Sequence, residues 1–443
     1  MTNSRRDFCK SLMSLVPATR PLGAVTGCAG VGVPGPAEGA VRVMDADLDG
    51  LIEKNRKGDF TISFAGRQVP AGAPVIYTLT RLGFDVGGLL NPRSFGARDG
   101  YDPARYLDTL DRYFNTFTDE FYWVETEAQR GINIDEPYLS IAKWGRDHGK
   151  KMCGHTIFYG WIDQLDQLVQ PWVRGLEAKE LEAVMKEHLS HVLKLFEGYI
   201  FDFCLSNEAM YKHCGSGTDD YFSEILRHNT LEPVFRWAKA MAPNVNFYIS
   251  EAGIVSGERT ADYLEFTRKL LATGAPVGAI GIEGHLFGTR VPPTDQVWER
   301  IDALSRFHLP IRITEFGVRT RDEKVYAEDV HRFYRTCFAH PSVVGVTRWD
   351  MWEPMMWNEE VGEGGPTLPE AALWRKDWSP TPAGEVHMSL VTKEWMTKGS
   401  GPVDAQGKVK FRGFFGKYRI DVAGNSYTVE FTPEKKATEV ELK

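Results

Sequence analysis

Short apolar runs recur through the middle of the chain, spaced by roughly 30 to 50 residues, with helical patterns between them. The runs are 84–87, 114–118, 151–157, 200–207, 246–250, 279–283, 311–315 and 344–349. Between the fourth of these runs and the one before it, residues 180–196 place Leu181, Val184, Met185, His188, Val192 and Leu195 on one stripe at helical spacing. Tyr263–Ala272 reads as another helix, closed by Gly274 just beyond its end. Strands alternating with helices predict an α/β fold, a (β/α)8 TIM barrel over residues 81–395. A doubly wound sheet shares this rhythm, but no Gly-rich phosphate loop follows the first strand.

The ends of the chain follow other patterns. Residues 43–80 alternate as strands about a turn near Gly66, and 396–443 hold short strands between glycine turns; each is predicted to be a small β module. Residues 28–42, rich in Gly, Pro and Ala, read as a linker. Ahead of them, Arg5-Arg6 followed by a weakly apolar stretch resembles a twin-arginine export signal spanning 1–27. Val25-Thr26-Gly27-Cys28 resembles a lipobox, in which Cys28 would carry a lipid anchor. The expected location is therefore outside the cytoplasmic membrane, in the periplasm or at the cell surface.

Composition narrows the ligand. The formal net charge is −8 and no Lys/Arg-rich run follows the first twenty residues, which argues against nucleic acid. Twelve Trp and sixteen Tyr suit an uncharged polysaccharide, because flat aromatic faces cover the C–H faces of sugars. The six cysteines, at 9, 28, 153, 204, 214 and 337, show neither metal-ligand spacing nor a disulfide framework.

In a barrel of this kind the chemistry lies at the C-terminal ends of the strands. Those ends carry Thr118 and Glu120, His155, Asn207 and Glu208, Glu251, Glu283 and His285, Glu315, and Trp349. A scaffold has no need of five carboxylates at one mouth, where like charges raise each other's pKa. Glycoside hydrolysis does need such groups: one carboxyl gives a proton to the leaving oxygen and another, ionised, attacks the anomeric carbon.

Several segments carry a closer resemblance. Ser206-Asn207-Glu208-Ala209 looks like the Asn-Glu acid/base signature of clan A glycosidases, and Ile313-Thr314-Glu315-Phe316 like their nucleophile strand. Phe114-Asn115-Thr116-Phe117-Thr118, Gly154-His155-Thr156, Gly281-Ile282-Glu283-Gly284-His285 and Ser379-Pro380-Thr381-Pro382-Ala383 resemble, in order, segments of glycoside hydrolase family 10, the xylanase family. The resemblance implies a retaining, endo-acting hydrolase of β-1,4-xylan with Glu208 as acid/base and Glu315 as nucleophile. It further implies that Asn207 binds the sugar 2-OH, His285 holds the nucleophile, His155 touches the sugar, and Trp349 and Trp357 wall its subsite. No cofactor and no metal are implied, since two carboxylates complete the mechanism.

Departures from the family pattern gather around the sugar. Glu120 is kept, but the Asn and Lys expected beside it are absent; Tyr159-Gly160 replaces Trp-His, Ser250-Glu251 replaces Asn-Asp, and Glu283 replaces Gln. Glu120, Tyr159 and Glu283 are accordingly read as substrate-binding positions, with Phe121, Tyr159 and Glu283 as the changes that would alter which glycan is accepted. A different or decorated β-glycan is one alternative substrate. A non-catalytic carbohydrate-binding surface protein and a metal-dependent hydrolase using His155 and His285 are the other readings. The export expectation has a direct check: replacing Arg5 and Arg6 by Lys should leave the chain in the cytoplasm on cell fractionation, and normal export of that variant would refute the twin-arginine route.

Overall fold

The computed structural model describes residues 42–66, 69–95, 102–210, 220–226, 231–286, 290–318, 320, 322–349, 351–355 and 372–442. Cys28 and Trp357 lie outside the described residues. The first strands met along the chain are β1 (Lys57–Gly66) and β2 (Pro74–Leu82). The central strands are β3 (Asp85–Leu90), β4 (Thr116–Glu120), β5 (Lys151–His155), β6 (Phe158–Tyr159), β7 (Asp202–Asn207), β8 (Asn246–Glu251), β9 (Ile280–Leu286), β10 (Ile311–Val318) and β11 (Val343–Arg348). Each apolar run of the sequence is one of these. β3, β4, β5, β7, β8, β9, β10 and β11 pair in parallel in that order, and β11 pairs back onto β3, so the sheet closes into an eight-stranded barrel. Two-residue β6 extends the β5 edge and pairs with β7, setting Tyr159 opposite Asn207.

Helices cover the outside. The stripe read at 180–196 belongs to a helix over Ala178–Leu195 that buries Leu181, Val184, Met185, His188, Leu189 and Val192. Another runs Thr260–Ala272 and ends before Gly274, whose φ of 76° is the left-handed conformation that glycine tolerates. Closing a barrel leaves its lower interior to be filled by side chains. Here an ionic layer does so: the Arg312 guanidinium bonds Asp85 at 2.9 Å, and the Lys151 ammonium lies 3.0 Å from Asp85 and 2.9 Å from Asp202. Burial opposes ionisation of Asp85, but Arg312 and Lys151 outweigh it and hold its pKa down to about 2. Above this layer Cys204, Tyr248 and Ala279 form a small buried cluster.

The two modules expected at the chain ends prove to be one unit. β1 lies between β13 (Lys408–Phe414) and β16 (Ala437–Leu442), and β2 lies between β12 (Lys398–Pro402) and β14 (Gly416–Val422), which also pairs with β15 (Asn425–Phe431). The sheets pack through aromatic rings: Phe60 of one stacks on Phe431 of the other at 4.2 Å and meets Tyr418 edge-on. Residues 43–80 are also not all strand. Leu48–Arg56 is a helix, α1, whose only buried residues are Leu48 and Ile52, too few to outweigh the alternation read around them. α1 docks the sandwich on the barrel. Arg56 donates to the carbonyls of Phe338, His340 and Val343, where a helix over Glu323–Ala339 ends, and Asn55 donates to Ala339 at 2.9 Å.

The buried ionic layer predicts a stability defect. Arg312→Ala leaves Asp85 and Asp202 with only Lys151 for charge balance and should cost about 3–5 kcal/mol. Thermal unfolding followed by circular dichroism would register this as a lowered Tm; an unchanged Tm would contradict the role assigned to Arg312.

Candidate active site

The C-terminal mouth of the barrel gathers most of the residues singled out from the sequence. Glu208 follows β7 directly and has φ of 48°, a left-handed conformation that costs a non-glycine residue about 1–3 kcal/mol. Its amide donates to Ser250 O at 2.9 Å, which fixes this turn against β8. Tyr159, on β6, donates its hydroxyl to Glu208 Oε2. Burial raises the Glu208 pKa and the Glu315 charge adds to it, while the Tyr159 hydrogen bond, His285 and Arg259 oppose. The net shift is upward, the direction that suits a proton donor.

Glu315 is held differently. Its side chain, on β10, is nearly inaccessible at 5%. His285 Nε2 lies 3.1 Å from Oε2, a hydrogen bond. His155 Nε2 is 3.6 Å from Oε1, which is contact distance and not a bond. Among the described residues Oε1 has no hydrogen-bond partner. One oxygen is thus anchored and the other is left free for an incoming atom. His155 is itself fully buried, and burial lowers its pKa, so near neutrality it is uncharged. The Trp349 ring meets both imidazoles edge-on, at 5.3 Å from His155 and 6.1 Å from His285, and closes that side of the mouth. Beneath Glu315, the neighbouring Thr314 hydroxyl bonds Ser250 Oγ at 2.5 Å, tying β10 to β8 across the barrel.

Two further carboxyls behave unlike the pair. Glu120 sits at the end of β4, accepting from Asn91 Nδ2 at 3.0 Å and from the Tyr122 hydroxyl at 2.8 Å. Burial outweighs these bonds and lifts its pKa to about 7. Glu251 is wholly buried below the mouth, where Oε1 accepts from the Met210 amide at 2.5 Å and burial lifts the pKa to about 8. It buttresses the segment after Glu208 and is not open to a ligand. Glu283, on β9, is in register with Glu315 and 4% exposed. Asn207 ends β7 with 5% exposure, between Glu208 and the buried Cys204.

Two residues at the mouth were not among those read from the sequence, and one that was read does not reach it. Phe121 packs outward against Phe196 and Phe203 with 1% exposure, so it does not line the site. Tyr122 does: its ring centroid lies 6.2 Å from that of His155 and 5.9 Å from that of Tyr159. Strand alternation carried one step past Glu120 gives this outcome, since Glu120 facing in sends Phe121 out and Tyr122 in. Asn91 follows the first barrel strand, β3, and the strand-end rule applied there would have found it. Among the described residues no group of three or more His, Cys, Asp or Glu could hold a metal ion.

This geometry can be set beside known proteins. The model of glycosyl hydrolase family 10 matches residues 83–389. The chain belongs to that family. The match takes in the whole barrel and leaves the sandwich largely outside it. The chain is 27% identical over 399 residues to endo-1,4-beta-xylanase 2 of Arabidopsis thaliana, covering 89% of this chain and 35% of that protein. It is 28% identical over 346 residues to anti-sigma-I factor RsgI6 of Acetivibrio thermocellus, covering 78% of this chain and 42% of that protein. The chain therefore spans under half the length of these relatives. Among solved structures, xylanase 10B from Thermotoga maritima superposes with a TM-score of 0.62 at 20% identity, over 70% of this chain and 96% of that one. Xylanase 10B from Thermotoga petrophila, solved with xylobiose, gives 0.63 at 20% identity over 70% and 95%. At such identity these structures speak for the family 10 fold.

The contact between Tyr159 and Glu208 yields a signed prediction. A hydroxyl donating to a carboxylate favours its ionised form, so Tyr159→Phe should raise the Glu208 pKa further. Carbon-13 NMR titration of the labelled carboxyl, assigned by difference from Glu208→Gln, measures it. A fall in the pKa would contradict the assigned direction.

Proposed function

We propose that this chain is a retaining, endo-acting glycoside hydrolase that cleaves β-1,4-xylan by double displacement, with Glu208 as acid/base and Glu315 as nucleophile. One observation carries the reading: the two carboxyls are prepared in opposite ways. Burial and the neighbouring Glu315 raise the pKa of Glu208, whereas Glu315 has one oxygen anchored by His285 and the other unengaged among the described residues. Glu208 gives its proton to the leaving glycosidic oxygen as Glu315 Oε1 attacks the anomeric carbon. A water molecule, losing its proton to Glu208, then frees the sugar from Glu315. Asn207 is assigned to the sugar 2-OH, and His155 with Trp349 to the ring of the same sugar.

Xylan is favoured because the relatives named above include endo-1,4-beta-xylanases. A decorated xylan or another β-glycan is the second reading, favoured by the tyrosine-lined mouth of Tyr122 and Tyr159 and by the acid at 283. Changed hydrogen-bonding groups alter discrimination between sugars far more than they alter the chemistry. The export signal and the lipid anchor at Cys28 remain part of the proposal and put the enzyme outside the cytoplasmic membrane.

The test is reducing-sugar release by residues 29–443 from plain and decorated xylans and other β-glycans. Glu315→Ala should lower turnover by about 10⁴-fold or more while the fold is kept. Substantial residual activity in that variant would remove Glu315 from its role, and release from a different glycan alone would keep the mechanism and move the substrate.

A further inference from the structure

A cleft of about 520 Å³ opens at the end of the barrel opposite the mouth, between the barrel base and the β-sandwich. Asp85 and Lys151, at the starts of β3 and β5, line it, so it borders the ionic layer of the lower barrel. The mouth lies at the other ends of the same strands. Lys151 and His155 bound β5, and their backbones are about 13 Å apart at 3.3 Å per residue. The ionic layer and the Cys204 cluster fill the interior between them, so the cleft is a separate place from the mouth.

Most cations around the cleft have a carboxylate of their own. Lys151 lies between Asp85 and Asp202, Lys150 is 2.9 Å from Asp111, and Arg146 is 2.8 Å from Asp147. Arg81 on β2 and Lys417 on β14 differ. They stand directly opposite each other in the antiparallel register, and like charges so placed destabilise a sheet. Among the described residues neither forms an ion pair, and Arg81 makes only a long hydrogen bond, 3.4 Å, to Gly149 O. Glu430 on β15 neighbours Lys417 on its other side, without an ion pair between them. An anion seated between Arg81 and Lys417 would turn their repulsion into binding. The remaining wall is open and partly apolar. Phe201, just ahead of β7, lines the cleft and is 53% exposed. Gly149 and Gly198 also line it, and a Cβ on either would meet nothing within 4 Å, so no side chain crowds that side.

We propose that this cleft is a second glycan site, which takes a sugar bearing a carboxylate: the carboxylate sits between Arg81 and Lys417, and the C–H face of the ring lies on Phe201. A guanidinium binds a carboxylate through two parallel hydrogen bonds, and the ammonium adds a point charge beside it. An exposed aromatic ring next to these cations selects a sugar over a bare anion, because it covers an apolar ring face at little entropic cost. A recessed cleft admits a sugar branch and excludes the flat surface of a bilayer. The site therefore holds an acidic polysaccharide on the enzyme without presenting the held sugar to Glu315.

The experiment is frontal affinity chromatography of residues 29–443 carrying Glu315→Ala, so that the polymer is not digested. The columns bear glucuronoxylan, polygalacturonate, or the carboxyl-reduced form of each. Retention on at least one acidic polymer should exceed that on its reduced form and should fall in about 0.5 M salt. Adding Arg81→Ala and Lys417→Ala together should weaken that retention about tenfold, and Phe201→Ala about threefold. Lys417→Arg, which keeps the charge, should retain binding and shows that the loss is not one of folding. Equal retention on acidic and reduced polymers overturns the proposal, as does a double variant that binds like its parent. Binding to phosphatidylglycerol vesicles that the double variant loses, with no retention on either acidic polymer, would assign the cleft to a lipid headgroup and also overturn it. None of these readouts needs turnover, so the hydrolase reading can fail in its own assay without deciding this one.

Discussion

Carboxyl groups crowded into a buried barrel mouth repel one another when ionised, and most of what is distinctive in this structure follows from how that repulsion is relieved. Glu283 and Glu315 stand on neighbouring strands of one closed sheet, almost inaccessible to water, and Glu208 directly follows a third strand. Continuous solvation cannot keep three charges there, so the surroundings decide which group is ionised. His285 bonds Glu315, Tyr159 bonds Glu208, and no described group bonds Glu283. In the proposed mechanism the separation of roles between a proton donor and an attacking carboxylate rests on burial and the neighbouring Glu315 at Glu208, and on the His285 bond that orients Glu315.

That arrangement requires a rigid frame. The parallel barrel supplies it by putting successive strand ends around one rim, and the chain makes the rim firm from below. Ser250 and Thr314 join β8 to β10 just under Glu315, and Arg312 with Asp85, Lys151 and Asp202 fills the lower interior with paired charge. The strained backbone at Glu208 persists because its amide is bonded to β8 and the next residues are held by Glu251. The β-sandwich, assembled from both ends of the chain, sits against the end of the Glu323–Ala339 helix through Arg56 and takes no part in the mouth.

The barrel was legible in the sequence because its strands are short apolar runs at a regular interval, and the site because barrel chemistry collects at strand ends. The strand-end rule drew attention to Glu208, Glu315, His155, His285 and Trp349 before any contact was visible. What escaped depended on pairing between distant segments. β1 and β13 are neighbours in space but at opposite ends of the chain, and local alternation carries no record of its partner. Phe121 and Tyr122 are told apart only by strand alternation continued beyond Glu120, which turns the first outward and the second into the mouth. The α1 helix was lost since only Leu48 and Ile52 mark its buried face. Cys28 and Trp357 fall outside the described residues.

The central claim is that Glu208 and Glu315 act in two successive displacements at one anomeric carbon. The stereochemistry of the first product tests it most directly. Proton NMR of the reducing end released from a β-1,4-xylo-oligosaccharide, recorded before mutarotation, should show the β-anomer, since two inversions restore the starting configuration. First appearance of the α-anomer would mean a single displacement by water and would contradict a nucleophilic role for Glu315.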